Sequence, residues 1–316
     1  MAQARENVRQ WRDTRVARMR IQPPPSNRTV IALGGLAVLA GAAFGAALAA
    51  VPGACVGGVL TLAAALAAAS RARRRHMRRA RLVTRPFPSA WRRLLRNRYD
   101  HFDRLPPALR ERFEGDVRVF VAEQRVTGVS VHVTEELRLL VAASAVTLSL
   151  GWPDYEWDQL SEVLLYPDAF DRDYQIGRDE LAGQAHGWGT LILSVPALLE
   201  GFDDPDDACH VGLHEFAHLL EVEGARFGGL PSGLDDARAR RFIDLREEEM
   251  DRMRRGRSVL DEYGANEPVE FFPVAVEAFF ETALAVRQHH GELYAFLADY
   301  FRQDPAAWDD ARGVRL

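Results

Sequence analysis

From residue 85 onward, the pattern of apolar and polar positions predicts a mainly helical domain. Apolar residues recur at helical spacing over Leu105–Gln124. Thr134 is typical of a helix N-cap, and the apolar run that follows it extends to Leu150. Helical patterns dominate again from Asp206 to the end of the chain. We therefore expect helices to form most of the core.

Three short segments have the pattern of strands. Val129–Val133 alternates apolar and polar residues, and Ser161–Tyr166 and Gly189–Val195 are short, rich in β-branched or aliphatic residues and bounded by polar or glycine positions. Together with the helices, they predict an α+β domain over residues 85–316, mainly helical with a small sheet.

The segment 29–70 contains no charged side chain and is rich in Ala, Gly, Leu and Val. One membrane span takes about 20 residues, so this stretch has room for two. Val51-Pro52-Gly53 lies near its middle, where Pro and Gly favour a break. We predict a transmembrane helical hairpin over 29–70, followed by a basic linker over 71–84. A single span and a buried alanine-rich helix pair are the alternatives.

The charge distribution agrees with a membrane position. The first 99 residues contain 19 arginines and only two acidic residues, although the whole chain has a formal net charge of −5. Because arginines flank both ends of the apolar run, the positive-inside rule places the basic segment 1–28 and the globular domain in the cytoplasm. We expect an inner-membrane protein whose basic residues meet anionic lipid. Direct nucleic-acid binding is not expected, because the basic clusters are not interleaved with aromatics.

The strongest chemical signal is the sequence His214-Glu215-Phe216-Ala217-His218. On a helix, His214 and His218 lie on one face, one turn apart, as two ligands of one metal ion must. Glu215 lies on the adjoining flank, where it can remove a proton from a metal-activated water. This pattern predicts a zinc-dependent metallopeptidase.

A catalytic zinc site needs a third protein ligand. Pro268 is typical of a first helical turn, with Asn266 as the N-cap, and the apolar helix that follows carries Glu270, Glu277 and Glu281 on one face. Acids on an otherwise apolar helix are costly to bury without a partner, and a metal is such a partner. The residues alone do not choose between Glu270 and Glu277 as the ligand.

Three further residues are candidates for supporting roles. Glu221 is placed to orient a ligand imidazole, and His210 lies one turn before His214. Tyr263 precedes the acidic helix, and its phenol is a candidate to stabilise an oxyanion. Glu270 belongs with them if Glu277 is the ligand.

Several motifs together resemble those of the Mlc titration factor A (MtfA) family of zinc-dependent peptidases. They begin at Arg85-Pro-Phe-Pro-Ser-Ala-Trp, Leu105-Pro-Pro, Val163-Leu-Leu-Tyr-Pro, His214-Glu-Phe-Ala-His and Asp261-Glu-Tyr-Gly-Ala-Asn-Glu-Pro. They occur in the expected order over roughly residues 85–300, which is most of the globular domain.

The resemblance implies Zn²⁺ held by His214, His218 and Glu277, with Glu215 as general base. It also implies aminopeptidase-like hydrolysis of a peptide or protein substrate, and a partner similar to the transcriptional repressor Mlc. By analogy with zinc peptidases, Gly189–Val195 is the strand along which a peptide aligns. The rival interpretation is a non-catalytic, membrane-tethered module that binds a regulator and whose zinc is structural or vestigial.

Overall fold

The computed structural model describes residues 51–153, 155–171, 176, 181–186, 189–222 and 229–312. The chain divides into two units, Met1–Arg85 and Pro86–Leu316. The described part of the first unit is a helix, α1 (Val51–Val83).

The second unit contains helices around a small sheet. The helices are α2 (Ser89–Arg98), α3 (Asp100–Arg104), α4 (Pro107–Glu123), α5 (Glu135–Ser149), α6 (Val195–Asp203), α7 (Val211–Val222), α8 (Asp236–Arg254), α9 (Pro268–Glu281), α10 (Ala283–His289), α11 (Gly291–Phe301) and α12 (Pro305–Arg312). A 3₁₀ helix spans Glu262–Ala265. The strands are β1 (Val126–Gly128), β2 (Glu162–Tyr166), β3 (Gly183–Ala185) and β4 (Thr190–Ser194). The predicted mainly helical α+β domain with a small sheet is confirmed.

The predicted transmembrane hairpin is wrong. Among the residues that the structure describes, no helix is long and apolar enough to cross a membrane. Val51-Pro52-Gly53, the predicted turn, is helical, and α1 continues from the alanine-rich segment through the arginines of 71–81 without a break. Alanine, leucine and arginine, which are frequent in α1, all favour helix.

The inner-membrane localisation and the membrane partner inferred from residues 29–70 lose their support with the hairpin. Residues 1–28, predicted to be a basic segment, and 29–50, predicted to contain the first helix of the hairpin, lie outside the described residues.

The sheet has the order β1-β2-β4-β3. β1 and β2 are parallel, β2 and β4 are parallel, and β3 runs antiparallel to β4, with Gly183 opposite Leu193. β4 is therefore paired on both sides, and its backbone cannot accept a peptide as a further strand. The expectation that a substrate aligns along Gly189–Val195 is wrong for this reason, and β3 is the strand at that edge.

Local signals place some element boundaries correctly and others a few residues away. Thr134 caps α5, and its side chain accepts a hydrogen bond from the Leu137 amide at 3.2 Å. The predicted strand over Val129–Val133 instead lies three residues earlier, as β1. Glu267, rather than Asn266, occupies the N-cap position of α9.

Helix α7 is held against the core by one close contact and one aromatic cluster. Gly212 lies so near α5 that a Cβ atom there would stand 2.3 Å from the Ser144 hydroxyl. Phe216 is fully buried between Phe120 and Trp157, with ring centroids 6.0 and 5.0 Å away. This packing leaves the His214 and His218 side of α7 facing α9.

Candidate metal centre

Two imidazoles and one carboxylate converge between α7 and α9. The rings of His214 and His218 are 4.9 Å apart, centroid to centroid. Glu270 Oε2 lies 3.2 Å from His214 Nε2 and 3.4 Å from His218 Nε2. The ligand atoms of the three residues all lie within 4.8 Å of one another, and they are the group that fits a metal ion among the described residues.

The other nitrogen of each imidazole is held by a different acid. Glu277 Oε2 lies 3.0 Å from His214 Nδ1, and Glu221 Oε2 lies 3.0 Å from His218 Nδ1. A neutral imidazole that donates from Nδ1 to a carboxylate presents the lone pair of Nε2. Both lone pairs then face the Glu270 carboxylate, and a cation between the three groups satisfies them all. The donor set of two imidazoles and one carboxylate suits zinc.

The charges in this cluster shift several pKa values. Burial lowers the pKa of His218, but its hydrogen bonds with Glu221 and Glu270 outweigh burial and raise it to about 9. The pKa of His214 is also raised, because the nearby Glu277 and Glu270 carboxylates outweigh burial. Burial alone would raise the pKa of Glu270, but hydrogen bonds with the two histidines lower it to about 2. Without a metal, the cluster therefore binds protons where it would otherwise bind a cation.

Glu277 joins the start of α7 to His214. Its Oε1 accepts a hydrogen bond from the backbone amide of His210 at 2.7 Å, while its Oε2 faces His214. His210 is fully buried, and its Nδ1 accepts the Leu213 amide at 3.3 Å, which caps the helix. Its ring packs on Phe202 at 4.5 Å. His210 thus stabilises the first turn of α7 and holds Glu277 through its backbone.

Glu215 is buried beside the cluster and has a free acceptor. It is 5% exposed, and its Oε2 has no hydrogen-bond partner among the described residues. Burial raises the pKa of this carboxyl, partly offset by His214 and His218. A buried carboxylate with a raised pKa is a stronger base than one in water. Strand β3 lies directly over it, because a Cβ atom at Gly183 would stand 2.5 Å from Glu215 Cγ.

Tyr263 stands at the rim of the cluster. Asp261 caps the 3₁₀ helix that carries Tyr263 by accepting its amide at 2.8 Å. The Tyr263 ring lies 6.1 Å from the His214 ring and is 48% exposed. Burial and the nearby Glu270 carboxylate raise the pKa of the phenol. The hydroxyl therefore keeps its proton at neutral pH and can donate a hydrogen bond.

The sequence matches a family of known metallopeptidases. Residues 72–302 match the family described as glucose-regulated metallo-peptidase M90. The chain belongs to the M90 family. The match covers more than half of the chain and includes every residue of the cluster between α7 and α9, so the metal implied by M90 membership has a fitting place in this fold.

Curated relatives of this M90 protein include several Mlc titration factors. An uncharacterized protein of Synechocystis is 29% identical over 244 residues, which cover 72% of this chain and 89% of that protein. The Mlc titration factor A of Edwardsiella ictaluri is 28% identical over 54% of this chain and 69% of its own length. The one from Yersinia enterocolitica is 27% identical over 58% of this chain and 80% of its own length. The resemblance to the MtfA family is confirmed.

The structure brings all the site residues predicted for this M90 protein into one region. It also shows which acid faces which imidazole nitrogen, a choice that the sequence alone did not make. Glu270 is the acid nearest both Nε2 atoms, whereas Glu277 lies on the far side of His214. Glu221 faces His218, as expected of an orienting group. Gly183 was missed, because β3 has three residues, Gly-Gln-Ala, without an apolar pattern.

Proposed function

We propose that the chain is a zinc-dependent peptidase whose metal is held by His214, His218 and Glu270. The observation that carries the proposal is the convergence of both Nε2 atoms on one Glu270 oxygen, with both Nδ1 atoms held by other acids. This geometry favours Glu270 over Glu277, the ligand implied by the family resemblance, and gives Glu277 the task of orienting His214.

Glu215 is proposed as the general base. When bound, zinc supplies Lewis acidity that acidifies the attacking water and polarises the peptide carbonyl. Glu215 takes the proton of that water on its unpartnered Oε2 and later passes it to the leaving amine. Its burial supports this role, because the raised pKa favours accepting the proton. Tyr263 donates its hydroxyl proton in a hydrogen bond to the developing oxyanion.

The edge of β3 is the proposed place for the substrate backbone. The Ser194 amide donates to the Ala182 carbonyl, and the His186 amide donates to the Thr190 carbonyl. Hydrogen-bonded and non-hydrogen-bonded residues alternate along an antiparallel pair. The N–H and C=O groups of Gly183 and Ala185 therefore point away from β4. Phe170 pairs with Leu181 just before β3 on that side, but among the described residues no strand pairs there with Gly183–Ala185. An extended peptide can therefore add to β3 beside Glu215.

The deciding experiment compares Glu215→Gln with the wild type. Glutamine keeps the shape of the side chain but cannot take a proton. We expect zinc content to stay at about one per chain while kcat falls by about 10²–10⁴-fold on peptide substrates. Peptides with free and with blocked N-termini then test the aminopeptidase-like preference. Equal rates for Glu215→Gln and wild type at equal zinc content would refute the mechanism.

A regulatory function is the second candidate, because relatives of this chain are named for titrating Mlc. In that case the protein binds an Mlc-like repressor, with or without hydrolysis. A binding assay with a purified repressor of this kind separates the two functions. Binding that is unchanged in Glu215→Gln and after zinc removal, with no hydrolysis by the wild type, would favour the regulatory module.

A further inference from the structure

Gly183 is the residue of β3 that lies against Glu215. A Cβ atom built there would stand 2.5 Å from Glu215 Cγ, 2.6 Å from Oε1 and 2.8 Å from Cδ. Contacts this short do not occur between non-bonded atoms, so the side chain of Glu215 occupies the space that any larger residue at this position would need. The three nearest atoms all belong to Glu215, and none belongs to the backbone.

The backbone itself does not require glycine here. Gly189, Gly229, Gly233 and Gly256 have positive φ angles, which other residues adopt at a cost, whereas Gly183 is not among them. Gly183 lies in a regular antiparallel register opposite Leu193, where alanine is conformationally acceptable. Glycine is therefore needed at position 183 for its lack of a side chain, which leaves room for the side chain of Glu215.

The side chain of Glu215 is enclosed at this contact. It is 5% exposed and lies between β3 and α7, where Phe216 and Ala217 are fully buried. Because the three nearest atoms all belong to the Glu215 side chain, a methyl group at position 183 would press on the carboxylate group. Any side chain at position 183 of the edge strand would thus occupy the same space as the side chain of the proposed general base, Glu215.

We propose that Gly183 is a positioning residue, whose missing side chain lets β3 lie directly on Glu215 and keeps that carboxylate at its working position. The inference rests on the proposed function for its effect on catalysis. The contact itself does not depend on it, so the two can be tested apart.

The catalytic test is Gly183→Ala in the full chain. We expect zinc content equal to wild type, KM within about threefold and kcat lower by about 10²-fold, because displacing a reacting group by about 1 Å has costs of this order. Gly291→Ala is the matched control, since Gly291 has an ordinary φ and open space around the added methyl group. A kcat for Gly183→Ala within twofold of wild type would overturn the proposal.

A second test needs no substrate. Gly183→Ala is compared in the wild-type and Glu215→Ala backgrounds by thermal unfolding of the zinc-loaded protein. Overpacking should lower Tm by about 2–8 °C in the wild type, and the loss should disappear once the Glu215 side chain is removed. Equal losses in both backgrounds would refute the contact. If the wild type cleaves no peptide, the proposed function fails, and this cycle still decides whether Gly183 positions Glu215.

Discussion

The three acids on α9 have different surroundings. Two of them reach the imidazole of His214 on α7, and Glu281 lies near Asp207 and the Cys209 backbone, which precede that helix. Glu270 faces both Nε2 atoms, and Glu277 bridges His214 and the His210 amide. Glu281, one turn further, is 6% exposed, and its Oε2 has no hydrogen-bond partner among the described residues. Under the proposed function, Glu270 is a metal ligand and Glu277 an orienting group, because they reach different nitrogen atoms of His214.

The first prediction separates the ligand from the orienting group. Glu270→Ala should remove stoichiometric zinc at micromolar metal, because one of three protein ligands is lost. Glu277→Ala should retain zinc with an affinity about 10–100-fold weaker, as expected when a group that orients a ligand is removed. Competition with a chromogenic chelator measures both affinities. Glu111→Ala, at an exposed acid on α4, is the control, and stronger loss in Glu277→Ala than in Glu270→Ala would reverse the assignment.

The second prediction concerns Glu281 and pH. Burial, and then the nearby Glu277 and Asp207, raise the pKa of Glu281 from its ordinary 4.5 to about 10. The folded state thus holds a proton that the unfolded state releases, and this contribution to stability is lost as pH rises from about 4.5 to about 10. Glu281→Gln imitates the protonated form, so its Tm should exceed that of wild type by about 2–5 °C at pH 8.

The advantage of Glu281→Gln should vanish well below pH 4.5, where the wild-type carboxyl is protonated in both states. Thermal unfolding at several pH values measures it, and Glu111→Gln on the exposed side of α4 serves as control. A Tm difference that does not grow with pH would contradict the proposed protonation of Glu281.

At the scale of elements, the short strand β3 is the part of the sheet that lies against Glu215. Its amides alternate in direction, with Gln184 facing β4 and Ala185 facing the free edge. The third prediction uses this alternation. Ala185→Pro should keep Tm within a few degrees and raise KM at least about tenfold, because it removes only an outward donor. Gln184→Pro should lower Tm strongly, since it removes a ladder bond.

Kinetics and thermal unfolding of the two proline variants measure this difference. If Ala185→Pro lowered Tm as much as Gln184→Pro while KM stayed unchanged, β3 would not be the strand that receives the substrate.

The sequence predicts features that depend on neighbouring residues better than features that depend on contacts between distant parts of the chain. His214, Glu215 and His218 lie on one helix, so their spacing alone predicts their common face. The choice between Glu270 and Glu277 depends on how α9 is rotated and shifted along α7, which is a packing property. β3 is three residues of small and polar type, and its pairing with β4 is decided by tertiary contacts. Pro52 and Gly53 predicted a turn, yet both lie in α1, where the alanine, leucine and arginine residues that follow favour helix.

At the scale of the whole molecule, the complete candidate site lies in the unit Pro86–Leu316. The fourth prediction is that residues 86–316, produced alone, bind zinc at one per chain with the same affinity as the full chain. Circular dichroism and metal analysis of both proteins measure this. A fragment that is unfolded or cannot bind zinc would mean that the first 85 residues are needed to form the site.

The position of the site along the chain has a consequence for folding. His214 and Glu270 are 56 residues apart, and they lie on two helices joined by the segment that contains α8. An ion bound by both closes this loop as a disulfide would, and it restricts the unfolded chain more than a link between near neighbours. The metal would therefore be a reversible cross-link, so that the concentration of free zinc would set the folding stability and the hydrolytic capacity of the protein together.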